Sequence, residues 1–210
     1  MSTEKAQSWL YAESFVTENE SIAQARYQAT ELGIESISPA TGQFLSLLAT
    51  GSQIKTIADI GTGTGVSGLY LLSGSSQSHL TSIDIDSEAQ NFARQNFAAT
   101  GIRSGRYRLI NGRSADILPR LAANSYDIVF IDGDILEAEG DVVEALRMLR
   151  TGGMLIVAHG LYHDRVADPA RRDDNTVAMR NIGKMLLESD QVTASLLPLG
   201  DGLLVATKLS

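Results

Sequence analysis

Ile57-Ala58-Asp59-Ile60-Gly61-Thr62-Gly63-Thr64-Gly65-Val66-Ser67 is the stretch that decides the fold. Thr56 to Ile60 is a short apolar run of β type. Glycines at 61, 63 and 65 let the backbone turn through conformations closed to a residue with a Cβ, and let a ligand approach the main chain closely. Thr64 to Leu72 then predicts a helix whose free N–H groups face whatever lies over the turn. Strand, glycine turn and helix in that order make the nucleotide-binding corner of an open α/β sheet.

Working outward, strands and helices alternate. Leu80 to Ile85 reads as the second strand, with Asp86 or Ser87 capping a helix that Gly101 closes. Tyr107 to Ile110 is the third strand, followed by a short helix to Leu121. The four apolar residues Ile128 to Ile131 suit a strand buried on both faces. Val142, Leu146 and Leu149 mark a helix stopped by Gly152-Gly153, and Met154 to Ala158 is the fifth strand. Thr176 to Leu187 is a helix; Val192 to Leu197 and Leu203 to Thr207 read as a terminal antiparallel pair. Such alternation predicts a mainly parallel sheet with helices on both faces. Residues 4 to 33 read as two helices, and a third runs from Pro39 toward Gly51. These additions to the core are either further packing or a lid or pairing surface. The chain is read as one domain over 1–210, a helical cap at 1–50 on a Rossmann-like core at 51–210.

Composition narrows the function. The 210 residues are 43% hydrophobic and 20% charged, enough for a full core. The net charge of −8 argues against nucleic acid and anionic membrane as partners. With no cysteine, disulfides, thiolate zinc sites and cysteine nucleophiles are excluded. The N-terminus has no apolar signal region and no apolar run is long enough to span a bilayer, so a cytoplasmic chain is expected.

In a parallel sheet the ligand crevice lies beyond the C-terminal strand ends. The residues there are Asp59 with the glycines, Asp84 and Asp86, Gly112 to Ala115, Asp132 and Asp134, and His159. A carboxylate at Asp84 can accept both hydroxyls of a ribose. Ser114 is short enough to meet an adenine edge. Gly63-Thr64-Gly65-Val66-Ser67-Gly68 fits the dinucleotide fingerprint G-x-G-x-x-G. The register starting at Gly61 fits better: the turn then follows the strand at once, and Asp59 precedes the first glycine by two. An acid there attracts the ammonium of S-adenosylmethionine and repels the pyrophosphate of NAD.

Asp59 to Ser67, Ile83-Asp84-Ile85-Asp86, Phe130-Ile131-Asp132-Gly133-Asp134, Leu149-Arg150-Thr151-Gly152-Gly153 and Leu197-Pro198-Leu199-Gly200-Asp201-Gly202-Leu203 together resemble the O-methyltransferases of the catechol and caffeoyl-CoA type. The last of these segments is the most specific. The resemblance implies a seven-stranded sheet with an antiparallel last strand, a homodimer, and transfer of a methyl group from S-adenosylmethionine to a small-molecule oxygen. It implies that Asp59 and Ser67 hold the methionine ammonium and carboxylate on the Gly61-Thr62-Gly63 loop. Asp84, with Ile85 beside it, would hold the ribose, and Ser114 and Ala115 would border the adenine. Ile37 would touch the cofactor from the N-terminal side, and Asp132 would lie near its methionine end.

The departures concern the metal. The family binds Mg²⁺ through the position of Asp132 and an Asp-Asn pair ending strand five, and carries a lysine three residues after that first Asp. Here the pair is Ala158-His159 and the lysine position is Ile135. Two of three oxygen donors are gone and a nitrogen stands in their place, which speaks against a Mg²⁺ mechanism. His159 is then a general base, a ligand of a softer metal with Asp132, Asp134 or His163, or a structural histidine. His159, Asp134 and the 160–175 loop are expected to face the methyl acceptor. Two other classes stay open: a cofactor-binding protein without turnover, and an NAD-dependent oxidoreductase.

Overall fold

The computed structural model describes residues 3–210. Its strands are β1 (Thr56–Ile60), β2 (His79–Asp84), β3 (Tyr107–Asn111), β4 (Tyr126–Ile131), β5 (Leu149–Val157), β6 (Val192–Leu197) and β7 (Leu203–Lys208). They form one sheet in the order β3-β2-β1-β4-β5-β7-β6, parallel except for β7, which runs antiparallel to both neighbours. The expected α/β architecture with an antiparallel last strand is present. The order reverses between β1 and β4, and a ligand crevice is expected outside that point.

Alternation along the central strands feeds two cores. Ile57, Ile128, Phe130 and Ile156 pack with α3 (Pro39–Ala49) and α4 (Val66–Ser73). Ala58, Ile60, Val129, Ile131, Leu155 and Val157 pack with α7 (Ala138–Met148) and α8 (Asp174–Glu188). β4 is buried along its whole length, as four consecutive apolar residues required.

The N-terminal helices α1 (Thr3–Glu13) and α2 (Glu20–Glu31) divide the two roles left open for them. Asn19 caps α2 by accepting from Ile22 N at 3.0 Å, and Ile22 and Ala25 join the core that holds Tyr70 and Phe97. Glu18 ties this segment down, accepting from Arg26 and, at 2.8 Å, from the Tyr70 hydroxyl on α4. α2 is thus packing. α1 instead turns Trp9 and Glu13 toward a cavity described below.

Three boundaries differ from expectation. α4 begins at Val66 rather than Thr64, because Gly65 is its N-cap at φ 94°. β2 ends at Asp84, which leaves Ile85 outside the strand and exposed. β5 starts at Leu149, so the Gly152-Gly153 pair lies inside the strand and does not stop a helix. The reason is a register shift: Tyr126 opposes Leu149 but Ile128 opposes Met154, so the glycines take up extra residues on the β5 side. The 165–175 segment is tied at three points, since Arg180 of α8 donates to the carbonyls of Val166, Asp168 and Arg171. Among the described residues no helix is long and apolar enough to cross a membrane.

Candidate active site

A cavity of about 320 Å³ opens over the ends of β1, β2 and β4. Its floor is the glycine loop. Gly61 stands at φ 96°, and a Cβ there would run into the backbone of Asp132. Only glycine lets the loop pass so close to β4. Asp84 holds the loop from the other side: its Oδ2 accepts from Gly63 N at 2.7 Å and its Oδ1 from Asp86 N at 2.8 Å. Asp86 in turn caps α5 (Ser87–Ala99), accepting from Glu88 N and Ala89 N.

Of the residues expected to bind cofactor, Ile37, Gly61, Thr62, Gly63, Ser67, Asp84, Ile85, Ser114 and Asp132 line this cavity. Two do not. Ala115 is exposed on the far side of α6 (Ser114–Ile117). Asp59 is fully buried behind the loop. It lies opposite Ser82 on β2 and faces the first turn of α4, so Ser82 donates to its Oδ2 at 2.7 Å and Ser67 to its Oδ1 at 3.1 Å. Burial pushes its pKa up to about 7, against the pull of these two hydroxyls, while the charges of Asp132 and Asp84 push the same way as burial. Asp59 therefore reaches the cavity through Ser67 and not by direct contact.

Glu35, Glu137 and Asp141 also line the cavity and were missed from sequence. Glu35 sits in a connector without periodicity, and the other two belong to α7 and the turn before it, where acidic residues read as a helix start. With Asp84, Asp86, Asp132 and Asp134 they make the lining strongly acidic. Arg113 is the one basic residue among the described lining residues, and it is paired with Glu137. Burial raises Asp141 to about 6, against the hydrogen bond from Ser114.

A second cavity, about 400 Å³, adjoins the first at Glu35, Ser36 and Ile37. Its walls come from α1 (Trp9, Glu13), the 35–39 connector, Ala158 and His159 after β5, and the β6–β7 turn with Asp201. Neither Asp134 nor any of residues 160–175 lines it; Asp134 belongs to the first cavity, its Oδ1 accepting from Leu136 N at 2.9 Å.

His159 stands between the cavities at φ 60°, bracketed by carboxylates. Its Nε2 is 3.1 Å from Asp132 Oδ1 and its Nδ1 is 2.9 Å from Asp201 Oδ2. Asp201 Oδ1 accepts from His163 N at 2.6 Å, which locks the turn in place. Burial lowers the imidazole pKa, but the two carboxylates outweigh it and carry it up to about 9. Burial pushes Asp132 up as well, against the pull of His159. The ring is therefore an imidazolium at neutral pH with both N–H groups engaged, which is not the state of a general base. Asp201 was missed as a site residue although the Leu197–Leu203 segment was singled out; it is the only ionisable residue in that segment.

The metal donors of the resembled family do not assemble. Ala158 offers no donor, His159 spends both nitrogens on carboxylates, and Ile135 packs on the core. His163 stacks on the Tyr162 ring at 4.9 Å. Among the described residues no three His, Asp or Glu side chains are grouped to hold an ion.

A switch-point cavity over a glycine loop, joined to a second cavity at one carboxylate, is the arrangement that a nucleoside-cofactor group transferase of the Rossmann type requires. The comparisons make the class particular. The chain matches the O-methyltransferase family over residues 12–209, and it belongs to that family. A protein of Mycobacterium avium whose name assigns it to the O-methyltransferases is 45% identical over 199 residues, covering 94% of this chain and 90% of that one. A like-named Mycobacterium tuberculosis protein is 44% identical, covering 95% and 90%. A Corynebacterium glutamicum crystal structure superposes with a TM-score of 0.88 at 34% identity, covering 98% of both chains. The O-methyltransferase TomG of Streptomyces achromogenes, solved with S-adenosylmethionine, has the same fold, with a TM-score of 0.87 at 24% identity and full coverage of both chains.

Proposed function

We propose that this O-methyltransferase binds S-adenosylmethionine in the first cavity and methylates a hydroxyl of a small molecule held in the second, without the Mg²⁺ of its resembled relatives. The observation that carries this is the acidic lining of the first cavity. A dinucleotide would bring a pyrophosphate against those carboxylates, whereas S-adenosylmethionine brings an ammonium and a sulfonium. In this reading Asp84 meets the ribose, Ser114 the adenine side, and Ser67, backed by Asp59, the methionine end, all of which border the first cavity except Asp59.

S-adenosylmethionine supplies a methyl group already activated on a positive sulfur. The protein's part is to align the acceptor oxygen, exclude water and take up the acceptor's proton. Glu35, at the junction of the cavities, and Asp132, in the wall of the first, are the carboxylates that can accept it. His159 holds Asp132 in position and puts a fixed positive charge where a metal would otherwise neutralise it. The resemblance also implies a homodimer, to be read by light scattering.

The test is methyl transfer to a panel of phenols with excess chelator present. S-adenosylhomocysteine should accumulate at the same rate with and without added Mg²⁺. An enzyme silenced by chelator and restored by Mg²⁺ would refute the metal-free part. Calorimetric binding of S-adenosylhomocysteine with no turnover on any acceptor would favour a cofactor-binding protein without activity.

A further inference from the structure

We propose that Asp141 selects the base of the cofactor, its carboxylate accepting from the 6-amino group of adenine; this deepens the reading of the first cavity as an S-adenosylmethionine site and rests on it. The other acids that line that cavity are satisfied without a ligand. Asp84 accepts from Gly63 N and Asp86 N, and Asp86 from the first turn of α5. Asp134 accepts from Leu136 N, Asp132 is paired with His159, and Glu137 with Arg113. Glu35 is exposed to water. Asp141 is different. It is only 3% exposed, and among the described residues the Ser114 hydroxyl is the one donor to its carboxylate. That hydroxyl has a single proton and also lies 3.4 Å from Glu137 Oε2. A carboxylate has about four acceptor positions, so most of those on Asp141 are open.

The ordinary role of an acid in the first turn of a helix does not account for this burial. Glu139, two positions earlier in α7, meets the same helix N-terminus from an exposed position. Asp141 instead meets Ser114, the first residue of the helix that follows β3, which sets it on the adenine side of the proposed cofactor. A buried carboxylate short of donors is destabilising, and a ligand that brings a donor relieves it. A carboxylate can only accept, and the 6-amino group is the only donor that the adenine of a nucleoside offers. The bond is charge-assisted on the acceptor side. A purine without that amine leaves Asp141 unpaired, and a 6-oxo purine sets a carbonyl oxygen against it.

The experiment is calorimetry on the full chain with S-adenosylhomocysteine and two analogues, one with hydrogen and one with an oxo group at C6 of the purine. S-adenosylhomocysteine should bind about tenfold or more tightly than either. Asp141→Asn, and Asp141→Ser as a smaller substitute, should each shrink that ratio several-fold, the Asn amide donating to the oxo group. A merely structural role for Asp141 would weaken all three ligands alike and leave the ratio unmoved. Glu139→Gln, which removes the exposed first-turn charge, should keep the ratio of the unmodified protein. Equal affinity of the unmodified protein for the three ligands would overturn the proposal. So would a ratio unchanged in the Asp141 variants, or one that falls as far in Glu139→Gln. Failure of S-adenosylhomocysteine itself to bind would instead strike down the cofactor reading on which this rests.

Discussion

The two cavities share a wall and are built in opposite ways. Most of the first cavity is assembled from the ends of β1 to β4 and the turns that follow them, where the parallel sheet must put them, with the 34–37 connector closing one side. The second cavity, proposed for the acceptor, draws on one strand end, Ala158 and His159 after β5, and otherwise on remote pieces: residues 9 and 13 near one end of the chain, 200 to 203 near the other, and a connector between them. The first is a consequence of topology. The second is a consequence of how a helical cap and a terminal hairpin close over that topology. Acceptor choice can therefore change while cofactor binding stays fixed, and variants in the two regions should fail differently.

The largest effect is expected in the cofactor cavity. Gly61→Ala asks for φ 96° from a residue with a Cβ and drives that Cβ into the backbone of Asp132, which has no flexible side chain to yield. Strain and overpacking together amount to roughly 3–5 kcal/mol. The protein should lose S-adenosylhomocysteine binding altogether by calorimetry, with a markedly lower melting temperature. Retained affinity would mean that β1 and β4 part more easily than their pairing suggests.

In the acceptor region the leading effect is on stability and depends on pH. His159 has its pKa raised from 6.5 to about 9 by Asp132 and Asp201 against the opposing effect of burial. The stabilisation from its pairing is complete below pH 6.5 and is lost as pH rises through 9, on the order of 3 kcal/mol. Urea unfolding at pH 6 and pH 9.5 should show this loss. His159→Gln should be less stable at pH 6 and nearly free of that slope. A wild-type slope surviving in the variant would place the titration elsewhere.

The same contrast explains what could be read from the sequence. The strand–glycine–helix signal at 56–72 is local, so the sheet, the loop and the acids at strand ends were legible without a structure. Asp59 was found, but not its burial behind the loop. Period-two alternation puts it on the α4 face of β1, and only the register against Ser82 shows that both its oxygens are taken. Ala115 was carried in by resemblance and turns away within one residue of Ser114. Trp9, Glu13 and Asp201 could not be grouped, because only tertiary closure brings residues nearly two hundred positions apart together. The Gly152-Gly153 pair misled for a related reason: a helix stop and a strand irregularity share one local signature, and the partner strand decides between them.

Asp59 offers a smaller test of the cofactor region. Its pKa of about 7, raised mainly by burial, makes its charge costly: folded-state stability falls as pH rises from 3.8 to about 7. A bound ammonium beyond Ser67 favours ionisation. S-adenosylhomocysteine binding near pH 6.5 should therefore release protons, seen as binding heats that vary with buffer ionisation enthalpy, and affinity should climb roughly tenfold at most toward pH 8. Asp59→Asn should abolish both effects. Proton release unchanged in the variant would remove Asp59 from the account.

The smallest effect separates two adjacent residues. Ser114 is buried on the cofactor cavity, its hydroxyl 3.4 Å from Glu137 Oε2, while Ala115 is exposed and outside it. Ser114→Ala removes one polar contact and should weaken S-adenosylhomocysteine binding several-fold, about 1 kcal/mol. Ala115→Ser changes a solvent-facing position and should stay within about 0.5 kcal/mol in both affinity and stability. If the second variant weakened binding as much as the first, the turn after β3 would have to present its next residue to the cofactor. The boundary of the cavity would then lie one residue further along the chain than the fold of α6 places it.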